Sequence, residues 1–173
     1  RAGASWPAGD DCVRMDVDHR QAALTAGLGD CRNTLVRDLG ELTATVAAAN
    51  YIESAMLLRD HADLKFEQNV DLCGVDYSSY KDQAWEVPRF CVVSHLLSVS
   101  LNQRVRLKVF APDDDLPVVE SINGAWSSAP WFEREAFDLY GVVFSGPHAP
   151  RPTPHRSRLL VHPSRHALPL SCP

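Results

Sequence analysis

The alternation of apolar and polar residues is cleanest over 104–110, where Val105, Leu107 and Val109 point one way and Arg104, Arg106 and Lys108 the other. Successive side chains on a strand face opposite sides, so this segment predicts a strand with one buried face and one wet, basic face. A Val- and Leu-rich run over 89–100, opened by Pro88 and followed by a turn at Leu101-Asn102-Gln103, supplies its hairpin mate. Residues 41–47 set Leu42, Ala44 and Val46 against Glu41, Thr43 and Thr45, the pattern of a half-buried strand.

Other segments follow helical spacing. Asp18 caps a first helix over 18–26, which ends at Gly27 or Gly29. Asn50 caps a second over 51–61, with Ile52, Ala55, Met56 and Arg59 at amphipathic intervals. Residues 63–76 stay open, because Phe66, Val70 and Leu72 suit a short strand or a turn of helix equally. Asp113-Asp114-Asp115-Leu116-Pro117 predicts a turn that starts a short helix over 118–122, with Gly124 and Pro130 as breakers after it.

The densest stretch is Trp131-Phe132-Glu133-Arg134-Glu135-Ala136-Phe137-Asp138-Leu139-Tyr140-Gly141-Val142-Val143-Phe144. At helical spacing Phe132, Ala136, Leu139 and Val143 form one stripe, with Glu133 and Glu135 on its flanks. Arg134 and Asp138 lie one turn apart and can pair, and Gly141 offers the permissive backbone at which the helix stops. A solvated helix would not need so many aromatics, and a core helix would not tolerate so many charges. The pattern therefore predicts a helix buried on one side and presented to a partner on the other. On that reading Glu133→Ala harms assembly while the domain still folds.

Interleaved helices and a hairpin-containing sheet predict an α+β fold. Its form is a two-layer sandwich, with helices packed on one face of a mixed β-sheet. After Phe144 the composition changes: four prolines fall within 147–154, and Pro163, Pro169 and Pro173 follow. The expected organisation is a flexible lead-in over 1–16, one α+β domain over 17–144, and an extended Pro-rich C-terminal tail over 145–173. The lead-in lacks the long apolar core of a signal peptide.

Composition narrows the function classes. At 173 residues, 45% hydrophobic and 23% charged, the chain can build one domain with a real core. A net charge of −5 argues against nucleic acid, so the basic strip Arg104, Arg106 and Lys108 is either a solvated face or a dock for an acidic protein surface. No apolar run approaches the roughly 20 residues that span a bilayer, so membrane association is expected only through partners. Five scattered cysteines without a C-x-x-C spacing suggest a reducing compartment and no local zinc or iron–sulfur motif.

Candidate chemistry is sparse. His148, His155, His162 and His166 cluster late, but without an H-E-x-x-H frame. Asp113, Asp114 and Asp115 lack the alternating ligands, central Gly and distal Glu of a calcium loop, and read as a charge cluster at a helix start. Glu133, Glu135 and Asp138 could serve a carboxylate–metal hydrolase, a structural ion-pair network or a partner-facing edge. No histidine lies in that helix to complete a Glu-x-x-His metal element. Nucleophile-elbow and glycine-rich phosphate loops are absent as well. No catalytic, cofactor-binding or metal-ligating residue is therefore predicted.

Several stretches resemble the C subunit of the bacterial proton-pumping NADH–quinone oxidoreductase, respiratory complex I, whose mitochondrial counterpart is the 30 kDa subunit. They are Phe66-Glu67-Gln68, Asp71-Leu72-Cys73-Gly74-Val75-Asp76-Tyr77, Val93-Ser94-His95-Leu96-Leu97-Ser98-Val99, residues 104–110, and above all the run from Trp131 to Gly141. The likeness covers roughly 41–144, and its signature falls on Glu133, Arg134, Glu135, Asp138, Leu139, Tyr140 and Gly141.

The resemblance implies a non-catalytic structural and assembly subunit of the hydrophilic arm, bracing the quinone-site large subunit and its neighbours. FMN and iron–sulfur clusters would sit in partner subunits and none in this chain. Of the signature residues, Glu133, Arg134, Glu135, Asp138, Tyr140 and Gly141 would bind partners. The implied location is peripheral, on the cytoplasmic side of the bacterial inner membrane or the mitochondrial matrix side. An equivalent subunit of a membrane-bound hydrogenase or formate-oxidising complex is the alternative.

The ends depart from the family. Before about Leu39 the match is poor, and after Phe144 the Arg-Arg-Ile-Leu and Tyr-Gly-Phe elements are missing. Even so, His162-Pro163-x-Arg165 and Pro169-Leu170-Ser171 recur at the family's spacing. A local shift of reading frame would produce that mixture, and the coding DNA tests it: with no alternative frame that restores Tyr-Gly-Phe-like residues, the idea fails.

Overall fold

The pleat of the central hairpin sets the architecture. A computed structural model describes residues 17–29, 32–78, 80 and 88–147. β4 (Phe90–Ser98) and β5 (Gln103–Phe110) pair antiparallel, with Val92 opposite Val109, Ser94 opposite Leu107 and Leu96 opposite Val105. These six residues share a buried face, while His95 opposite Arg106 and Leu97 opposite Arg104 lie on the other. β3 (Gln68–Asp76) lies antiparallel to the far side of β4. β2 (Glu41–Val46) runs parallel to β5, and β1 (Arg32–Asp38) closes the opposite edge antiparallel to β2. The order is β1-β2-β5-β4-β3, a mixed sheet.

Three helices cover the buried face. α1 (Val17–Leu28) contributes Leu24 and Leu28 to the core, and α2 (Tyr51–Asp60) contributes Tyr51, Ala55 and Leu58. The buried Tyr51 and Ser94 hydroxyls share a 2.6 Å hydrogen bond, which ties α2 to the core face of β4. α3 (Ala129–Tyr140) lies over β3 on the same face, its Tyr140 ring against Gly74, which pairs with Val92. The α+β sandwich with helices on one face is thus the observed fold.

Four local expectations are corrected. Residues 118–122 are not helical: β6 (Val118–Glu120) pairs in parallel with β7 (Val143–Ser145), burying Val119 and Phe144. Asp113–Asp115 therefore starts no helix; the Asp113 carboxylate accepts from Asp115 N in a local turn instead, and that of Asp114 accepts from Arg89 N. Asn50 does not cap α2 through its side chain, because a 3₁₀ turn, Ala48–Asn50, feeds the helix directly. Pro130 is not a breaker ahead of α3 but occupies its first turn, where the missing N–H has no partner to lose. The open segment 63–76 resolves into β3. The lead-in 1–16, the tail beyond Pro147 and the four late histidines lie outside the described residues.

Candidate functional site

The signature helix is held by its flanks. Before it, Trp126 Nε1 donates to Phe66 O at 2.9 Å and Ser128 Oγ donates to Asn69 O at 3.1 Å, which anchors the approach to the start of β3. Ser128 spends its hydroxyl there and makes no side-chain cap on α3. At the other end Gly141 adopts φ 75°, and its N–H donates to Phe137 O at 2.8 Å. That left-handed stop costs a glycine little and any other residue about 1 kcal/mol.

The buried stripe of α3 is rotated from the expected one. Ala129, Glu133 and Ala136 are the fully buried positions, with Phe132 and Tyr140 packed partly against the core. Leu139 is only half-buried, and Val143 belongs to β7 beyond the helix stop. Gly74 explains the rotation. A Cβ there would stand 2.8 Å from Tyr140 Cδ2, so the bare backbone of β3 receives the ring and sets which face turns inward. Helical spacing alone carries no information about a hole in a neighbouring strand.

Glu133 is therefore an interior residue, with 0% exposure, rather than a flank. Its Oε1 accepts from Ile122 N at 2.9 Å, and Ser121 Oγ donates to the carboxylate, nearest Oε2 at 2.8 Å. Ser121 Oγ accepts in turn from Asn123 N, and Ser121 N donates to Ser145 O at 2.8 Å. Glu133 thus clamps α3 to the turn after β6 and, through it, to β7. Burial raises its carboxyl pKa, and the two donors hold the rise in check. Sequence patterning missed this because a glutamate among charges reads as exposed; only its partners, eleven and twelve residues upstream, reveal it.

The opposite side of the helix is open. Trp131 is 71% exposed, an unusual state for the largest apolar side chain. Trp131, Arg134, Glu135, Asp138 and Leu139 line one shallow surface depression. At about 100° per residue, Trp131, Glu135 and Asp138 lie about half a turn from Glu133 and Tyr140. Arg134 buries its Nε without an acceptor among the described residues. Gly141 is buried, so of the six candidate partner-binding residues Arg134, Glu135 and Asp138 face the depression, while Glu133, Tyr140 and Gly141 serve the interior or its edge.

The second candidate surface is the face of the sheet away from the three helices, partly exposed around the basic residues of β5, although Cys91 and Val93 of β4 are buried on it. Arg106 pairs with Glu41 at 2.8 Å across β5 and β2, while Arg104 is exposed and Lys108 half-buried. His95, opposite Arg106, has its pKa lowered by burial and by that guanidinium. Among the described residues no three His, Cys, Asp or Glu side chains gather as a metal-holding group. No described helix is long and apolar enough to cross a membrane.

Comparison with known proteins places this geometry. Residues 44–172 match the family described as the 30 kDa subunit of respiratory-chain NADH dehydrogenase. The NADH-quinone oxidoreductase C subunit of Polaromonas sp. (strain JS666 / ATCC BAA-500) is 65% identical over 123 residues, which cover 71% of this chain and 61% of that one. The C subunit of the same enzyme from Ralstonia nicotianae is 55% identical over 157 residues, covering 87% of this chain and 76% of its own length. The chain thus spans less than two thirds of the Polaromonas relative. A solved structure of the membrane-bound sulfane sulfur reductase, an archaeal respiratory membrane complex, holds a chain of the same fold. It superposes with a TM-score of 0.63 at 19% identity, over 86% of this chain and 79% of that one.

Proposed function

The chain belongs to the family of the 30 kDa subunit of respiratory-chain NADH dehydrogenase, and on that premise we propose that it is a non-catalytic subunit of an NADH–quinone oxidoreductase. In this role it braces the quinone-site large subunit within the hydrophilic arm and carries no redox centre of its own. FMN and iron–sulfur clusters reside in the partner subunits. The chain sits peripherally, on the cytoplasmic or matrix side, and reaches the membrane only through the complex.

One observation supports this reading above the others: α3 turns its Glu133 carboxylate inward and a tryptophan outward. Glu133 is consumed by Ser121 and Ile122, so the signature's buried acid holds the fold together instead of meeting a substrate. Exposed Trp131, with Arg134, Glu135 and Asp138 around it, has the aromatic-and-charged make-up of an interface anchor. An equivalent place in a membrane-bound sulfur-reducing, hydrogen-evolving or formate-oxidising complex is the second reading, favoured only by the shared fold at 19% identity.

The test is purification of the tagged chain from its source under mild detergent. NADH–quinone reductase activity and a large quinone-site subunit are expected to travel with it. A complex that lacks the chain, yet is stable and reduces quinone with NADH at the full rate, refutes the proposal.

A further inference from the structure

We propose that the outward face of α3 receives an arginine-bearing segment of a partner protein, with the guanidinium laid on the Trp131 indole and its N–H fork on the Glu135 carboxylate. The inference rests on the docking role assigned to this helix and adds the chemistry of what docks. Trp131 and Glu135 stand one turn apart on the same side of α3, within the span of one guanidinium. Both are exposed and both border the same depression, whose rim continues to Asp138. Among the described residues Glu135 takes no ion pair, and Arg134 is the one cationic residue that lines the depression, with its Nε buried.

The outward chemistry where Trp131 meets Glu135 is therefore an electron-rich ring beside a carboxylate, which is complementary to a cation. An arginine fits better than a lysine. Its planar group stacks on an aromatic face and still donates two parallel hydrogen bonds to a carboxylate, whereas an ammonium is a strongly hydrated point charge without a flat face. The net charge of −5 further favours a cationic partner surface.

A photo-crosslinking residue placed at Leu139, in the same depression, tests this in the assembled complex while leaving Trp131 and Glu135 intact. The expected crosslink falls in a partner segment that carries an arginine within a few residues of the attachment point. Changing that arginine to lysine, or Trp131→Ala or Glu135→Gln on this chain, is then expected to weaken association about tenfold each. A crosslinked segment without arginine, or one whose arginine tolerates lysine without loss, overturns the proposal and leaves the docking role standing. A complex that assembles with no crosslink from this position, or one only to a second copy of this chain, overturns the docking role as well.

Discussion

Replacing Glu133 separates an interior role from a partner-facing one. In Glu133→Ala the Ile122 N–H loses its acceptor at a position with 0% exposure. An orphaned buried donor costs about 1–3 kcal/mol, and the one lost methylene adds about 0.8 kcal/mol of burial. Relief of the buried charge offsets part of this, leaving a net destabilisation of about 2–3 kcal/mol. For a chain of this size that corresponds to a fall in Tm of about 5–10 °C.

Glu133→Gln should behave differently. Its carbonyl still accepts from Ile122 N and its amide donates to Ser121 Oγ, so neutral-pH stability stays within about 1 kcal/mol of the parent. The pH dependence supplies the sign. Burial raises the folded carboxyl above its ordinary 4.5. The stabilising share of this group is therefore complete below that value and is lost as pH rises through the folded pKa. The Gln variant should lack that component. Calorimetric melts of the three proteins from pH 4 to pH 8 measure all of this. A Glu133→Ala protein melting within about 1 °C of the parent, or a Gln variant as damaged as the Ala one, refutes the clamp. A drop in complex yield for Glu133→Ala is accordingly no evidence of a partner contact, contrary to the expectation from the sequence.

Other substitutions probe the frame around this helix. Gly74→Ala places a methyl 2.8 Å from the Tyr140 ring, and overpacking of this kind should lower stability by about 1–3 kcal/mol in urea melts. The added change Tyr140→Ala should recover part of that loss. Asp76 accepts a forked pair of hydrogen bonds from Arg89 at 2.6 and 2.7 Å. Burial works to raise its carboxyl pKa, but these bonds and those from Ser78 outweigh it and leave the pKa lowered. Its stabilisation is present above the ordinary carboxyl value of 3.8 and is lost as pH falls through the folded one. Asp76→Asn should cost about 1–3 kcal/mol at neutral pH and flatten the acid limb of the stability curve. Burial pushes the Cys91 thiol up to about 12, so mass spectrometry after iodoacetamide treatment of folded protein at about pH 7.5 should find Cys91 unmodified.

Alternation made β2 and β5 legible, because one face of each is buried more deeply than the other, and a continuous Val- and Leu-rich run made β4 legible, because most of its residues are buried on both faces. Three strands escaped, β1 for one reason and the pair β6 and β7 for another. β1 is an edge strand, mostly exposed, and its sequence Arg-Asn-Thr-Leu-Val-Arg-Asp needs no apolar face. β6 spans three residues and takes its conformation from β7, twenty-five positions away, so nothing local marks it as a strand. The signature helix and its glycine stop were readable, but the orientation of its faces was not. Gly74 and the Ser121–Ile122 turn decide that Glu133 turns in and Trp131 out, and both are remote in sequence. The family itself was legible from motifs spread across 66–141.

The most direct measurement is hydroxyl-radical footprinting of Trp131 in the free chain and in the purified complex. Trp131 is expected to oxidise readily when the chain is alone and to be strongly protected after assembly, with Trp126, already only 5% exposed, unchanged between the two states. Equal oxidation of Trp131 in both states would show that nothing covers this side of the helix, and would contradict its role as a docking surface.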